Sequence, residues 1–184
     1  GEYRRQRQMC IRDSNDTDNF APEGNIVGEV PRGTGIIIMA NSDVEIFNNL
    51  MSGNGTVNLS IVSYGDETDD PNYYPHPKNI QVHGNTYGPS GFDPDIDTGD
   101  LAKALFEISG GNMPDIFWDG IVPISQIIFG QPDDEKLIIA EKDATFLTIK
   151  PIKYMLGFSD PVNTNKNDFK GDISPLEKIT IKTF

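Results

Sequence analysis

The chain has 184 residues, enough for one domain with its own core. Its 28 acidic and 15 basic residues give a formal net charge of −13, which argues against a nucleic-acid partner held through its phosphates. No apolar run approaches the ~18 residues of a membrane-spanning helix, and the single cysteine, Cys10, excludes an internal disulfide framework.

Residues 3–14 read YRRQRQMCIRDS, and they differ from everything that follows. They hold Arg4, Arg5, Arg7 and Arg12, with no apolar stretch behind the arginines to make a secretory signal. As encoded residues they would form a basic arm for an acidic partner. The stretch also resembles a translated sequencing adapter, so residues 1–14 are set aside from the fold as a leader. The remainder has eleven basic and twenty-six acidic residues. It is expected to be the C-terminal part of a longer protein.

Residues 34–87 carry the strongest pattern. Val44 and Ile46 alternate with polar residues in DVEIFNN, as do Ile80 and Val82 in NIQVHGN. The two segments align at a shift of 36 residues, Val44 on Ile80, Glu45 on Gln81, Ile46 on Val82 and Asn49 on Asn85. GIIIMAN (35–41) aligns with NLSIVSY (58–64) at a shift of 23, Ile36 on Leu59 and Ile38 on Ile61. The difference is a polar insert over 66–78. Two copies of a strand–turn–strand unit near 23 residues predict stacked parallel strands. The expected fold is all-β, a right-handed parallel β-helix (solenoid) over 15–123, with inserts at 66–78 and 88–112. Two unrelated sandwich strands are the alternative.

Beyond residue 88 a loop leads to a predicted short helix over 101–108, with Leu101, Leu105 and Ile108 on one face. Strands are predicted at 116–123, 136–140, 145–150 and 178–183. Residues 157–175 are predicted to be mostly loop. Residues 124–184 are assigned to a β-rich C-terminal cap over the last core layer.

Several stretches are similar to a family of bacterial parallel β-helix repeat proteins, whose coils resemble those of polysaccharide lyases and alginate epimerases. They are DNFAPEGNIVGEVPRGTGIIIMANSDVEIFNN (18–49), LSIVSY (59–64), PDIFWDGI (114–121), DATFLTIK (143–150) and ISPLEKITI (173–181). The resemblance implies an exported protein, secreted, periplasmic or cell-surface, associated with polysaccharide or an envelope component. Its matching motifs are structural rather than catalytic.

The candidate chemistry is spread along the chain. The insert offers Asp66, Tyr73, Tyr74 and His76, where tyrosines suit stacking on a sugar and carboxylates suit its hydroxyls, or it is a plain surface loop. His83 follows inward Val82, so alternation turns it outward. With a side-chain pKa near neutrality it is a candidate base or a simple exposed histidine. If the protein is an enzyme, lyase or epimerase chemistry would use His83 as base, Asp66 or His76 assisting, and Lys78 neutralising a carboxylate. Asp93, Asp95, Asp97 and Asp100 lie in DPDIDTGD, where alternate carboxylates either suit Ca²⁺ or cap the next helix. Trp118 is expected to pack in the core or the cap, and its neighbours Asp115 and Asp119 are either an acid/base pair or structural. Function is therefore expected to be binding or modifying an extracellular polysaccharide, or a non-catalytic scaffold that binds protein.

Overall fold

The computed structural model describes residues 6–9, 12–13, 17–22, 25–65, 70–97, 99–157 and 160–174. The predicted strand at 178–183 lies outside the described residues. Two short strands come first, β1 (Gln6–Met9) and β2 (Arg12–Asp13). Then follow β3 (Thr34–Met39), β4 (Ser42–Phe47) and β5 (Leu50–Met51), and next β6 (Val57–Val62), β7 (Lys78–His83) and β8 (Thr86–Tyr87). The leader set aside from the sequence thus supplies backbone to the sheets, β1 pairing with β4 and β2 with β5.

The strands go in turn to different sheets. One sheet has the order β12–β11–β9–β6–β3, a second β1–β4–β7–β10, and a third β2–β5–β8. Here β9 is Ile116–Trp118, β10 is Leu137–Ala140, β11 is Phe146–Ile149 and β12 is Val162–Asn163. All pairs are parallel except β11 with β12. The two internal alignments match the observed registers. Ile36 faces Leu59 and Ile38 faces Ile61, while Val44 faces Ile80 and Ile46 faces Val82. These side chains, with Ile116, Trp118, Leu137, Ile139 and Phe146, form one buried cluster between the sheets. Full burial of such a side chain contributes ~1.5–3 kcal/mol.

Polar corners fix the same registers. Asp43 and Asn79 both take left-handed backbone angles, and Asn79 Nδ2 donates to Asp43 Oδ1 at 2.6 Å. Asn and Asp tolerate this conformation better than other side chains. At the next corner Asn85 Oδ1 accepts from Asn49 N and Nδ2, both at 2.9 Å.

The expectation of an all-β β-helix with a β-rich cap is corrected here. Among the described residues the chain is mixed α/β, with three α-helices among several parallel sheets and no closed barrel or solenoid. The helices are α1 (Asp100–Ile108), α2 (Ile124–Phe129) and α3 (Pro151–Met155). The physical reason is that the sheet through β6 and β9 is buried on both faces. Its second face, with Ile37, Phe117 and Leu147, packs on Leu101, Leu105 and Ile108 of α1. A sheet buried on both faces needs helices as cover.

The region assigned to the cap contains α2, α3 and a 3-10 turn at Lys166–Phe169 besides its short strands. The turn seats Phe169 against Trp118 and Phe146, with ring centroids 5.4 and 5.1 Å apart. Both extra helices start beside a proline, Pro123 at the N-cap of α2 and Pro151 at the head of α3. No helix among the described residues is long and apolar enough to cross a membrane.

Candidate functional site

Strand β7 carries two of the candidate catalytic residues, one at each end. Six residues in extended form put Lys78 and His83 roughly 16 Å apart. Lys78 Nζ lies 3.5 Å from Glu135 Oε1 and 4.8 Å from the centre of the Tyr74 ring. His76 meets the edge of Tyr74 and shares a 3.1 Å hydrogen bond with Ser63 through Nδ1. Burial lowers the His76 pKa below the usual imidazole value, which favours the neutral ring. Burial, and then Glu135, raises the Tyr74 pKa. His76, Lys78 and Tyr74 therefore form one cluster. His83 belongs to another, and Asp66 lies outside the described residues.

At its own end of β7, His83 stacks face to face on Phe47, with centroids 5.3 Å apart and planes 6° from parallel. His83 Nε2 lies 3.2 Å from Glu45 Oε1, and that carboxylate is only 3% exposed as a residue. Nearby, Glu141 Oε1 accepts from Asn85 Nδ2 at 2.7 Å and from the Tyr87 hydroxyl at 3.2 Å. Burial is the main cause that raises the Glu141 pKa. His83 thus sits among carboxylates. This surrounding stabilises a cation or a hydroxyl donor and repels an anionic sugar.

Two of the four aspartates of the calcium candidate, Asp93 and Asp95, are engaged by Arg32. Arg32 reaches Asp93 at 2.8 Å, and Arg32 N donates to Asp95 Oδ2 at 2.9 Å. Asp100 opens α1. Among the described residues no group of three acidic, histidine or cysteine side chains is arranged to hold a metal ion.

Asp115 and Asp119 stand at opposite ends of β9, each committed to neighbouring donors. Asp115 accepts from Asn58 Nδ2 at 3.0 Å and from Thr145 N and Oγ1 at 2.9 and 2.7 Å. Asp119 accepts from Ser63 N at 2.6 Å and Ile121 N at 3.0 Å. Both sit where backbone N–H groups leave the sheet and need acceptors. The glycine after Asp119 is obligatory, since its φ is +69° and a Cβ there would lie 2.1 Å from Ile149 O. Trp118 is in the core, one of the two places expected from the sequence.

Sequence reasoning missed a cleft of about 450 Å³, open to solvent. It is lined by Met113 and by the buried Phe146 and Leu147, and its exposed rim includes Asn112, Thr145, Thr164 and Asn167. Lys166 also borders it, but its ammonium donates to the carbonyls of Lys142 and Ala144 at 2.6 and 2.7 Å. Rim residues come from three separate loops, so no local spacing announces them. The Asn-rich run 163–167 was the one available signal. No family model matches the chain, and no curated protein or solved structure matches it either.

Proposed function

We propose that this is an exported carbohydrate-binding protein whose ligand is a neutral polysaccharide chain. The observation that carries the reading is the cleft lined by apolar residues and by a rim of neutral amides and hydroxyls. Amide and hydroxyl groups both donate and accept, which suits sugar hydroxyls. The apolar part of the lining suits the C–H faces of a pyranose, and the volume falls within the range of small-ligand sites. The net charge of −13 favours a neutral chain over a uronate polymer. The resemblance noted in the sequence supports export and the polysaccharide class. Separation of Lys78 from His83 supports binding rather than lyase chemistry.

The test is affinity electrophoresis in gels holding xylan, mannan, β-glucan, alginate or polygalacturonate. Retardation is expected in a neutral gel and not in the two acidic ones. Asn112→Ala with Thr164→Ala should weaken it about tenfold, the loss of one to two hydrogen bonds. Retardation only in the acidic gels, or in none, would overturn the reading.

A further inference from the structure

A second cleft of about 380 Å³ lies on the other side of the turn that joins β10 to β11. Gly84, Thr86, Ala140, Lys142 and Asp143 are among its walls. The turn itself, residues 141–145, contributes Ala144 and Thr145 to the first cleft and Glu141, Lys142 and Asp143 to the second. Lys166 pins that turn through two of its carbonyls, so the partition between the clefts is held in place.

One row of side chains runs across the outer face of the sheet beside this second cleft. Phe47 pairs in register with His83, and His83 with Ala140. The first two rings stack, so one face of the imidazole is covered by Phe47. Its other face turns to the next strand, ~4.8 Å away, where a methyl group stands in place of a third ring. Ala140 is exposed, and among the described residues β10 is the last strand of its sheet. Glu45 fixes the orientation of the imidazole through Nε2. The row therefore ends in a preoriented ring face above a small residue, next to a cleft.

We propose that this ring face is a second sugar-binding subsite, so that a linear neutral chain crosses the 141–145 turn and lays one pyranose on His83 above Ala140. The inference rests on the carbohydrate reading and extends it, since the ligand must then be a chain rather than a single sugar. Stacking through C–H groups on the imidazole needs no charge on the ligand, in keeping with Glu45 and Glu141 nearby. Lys142 and Asp143 at the rim supply a donor and an acceptor to hydroxyls of the same unit.

The experiment titrates the full chain with cello-, xylo-, manno- and maltohexaose and with the matching disaccharides, following histidine ring and backbone amide resonances by NMR. The chain has two histidines, so His83 and His76 are distinguished with one substitution. A hexaose that binds is expected to shift the His83 ring signals and leave those of His76. Ala140→Phe adds a third ring to the row and fills the subsite without opening the core. It should weaken hexaose binding about tenfold while leaving the disaccharide unaffected. If the hexaose shifts Asn112 and Thr145 but not His83, or Ala140→Phe binds it as tightly as the parent, the subsite falls and the first cleft stands. If no hexaose shifts any signal, the subsite and the carbohydrate reading fall together.

Discussion

Two sheets of this molecule expose their outer faces to different neighbours. In the sheet through β6 and β9 the outer row is Ile37, Ser60, Phe117 and Leu147, and α1 covers it. In the sheet through β4 and β7 the outer rows are Glu45 with Gln81 and Phe47 with His83. There a loop residue approaches instead of a helix, and Ser174 N donates to Gln81 Oε1 at 3.1 Å. The backbone pairing is the same in both sheets. What differs is the chemistry of every second residue, and that decides whether a helix docks or the face carries polar and ring groups that bond to one another and to loops. The first face is apolar and packed under a helix, and the second buries polar side chains and leaves His83 and Ala140 partly open.

Paired truncations would sharpen that contrast most. Phe117→Ala should cost about 3–5 kcal/mol, because it opens a cavity between sheet and helix. His83→Ala should cost less, about 1–2 kcal/mol, since the ring is partly solvated but its loss removes the stack on Phe47 and a hydrogen-bond partner of buried Glu45. Urea midpoints of the two variants measure the gap. Equal losses would mean that the second face is as much a part of the core as the first.

The covered sheet ends in a buried carboxylate, and its charge makes stability depend on pH. Desolvation pushes the Asp119 pKa up to about 6, against the hydrogen bonds from Ser63 and Ile121 that pull it down. An acid whose folded pKa is raised binds its proton more tightly in the folded chain. Its stabilising contribution is full below the unfolded value, near 4, and is lost as pH rises through about 6. The difference is on the order of 2–3 kcal/mol. His76, bonded to Ser63, acts with the opposite sign, because its lowered pKa costs stability as pH falls below its unfolded value. Subtracting the pH profile of Asp119→Asn isolates the carboxylate. The parent should gain relative stability between pH 7 and pH 4.5, and a flat difference would show that Asp119 titrates as it does in the unfolded chain.

The same comparison explains what could be read from the sequence. Strand register was legible because Ile36, Ile38, Val44 and Ile46 recur at fixed shifts opposite their own partners. The helix at 100–108 was legible from its spaced Leu101, Leu105 and Ile108. The fold class was not, because a doubly buried strand such as IFW reads as a plain apolar run, which hides the demand for helices on its far side. Helices α2 and α3 were missed because six and five residues are too few to show a period, and neither buries a side chain. The outward placement of His83 followed from alternation. Its neighbours Glu45 and Glu141 did not, since one comes from a strand 38 residues before it and the other from a turn 58 after it. The clefts lie between loops whose approach only the packed structure defines.

The smallest effect bears on the covered face itself. Ser60 sits in the row between Ile37 and Phe117, and its buried hydroxyl has no hydrogen-bond partner among the described residues. A polar group in that position gains nothing from the helix above it and has lost its water. Ser60→Ala should therefore stabilise the protein by about 1 kcal/mol, the reverse of the usual sign for a buried truncation. The same change on the other face, Gln81→Ala, removes the acceptor of Ser174 N and should destabilise by a similar amount. Thermal melts of the two variants would then move in opposite directions. If Ser60→Ala melts below the parent, the hydroxyl has an acceptor in solution, and the row under α1 is not the dry apolar surface that distinguishes this face from the one bearing His83.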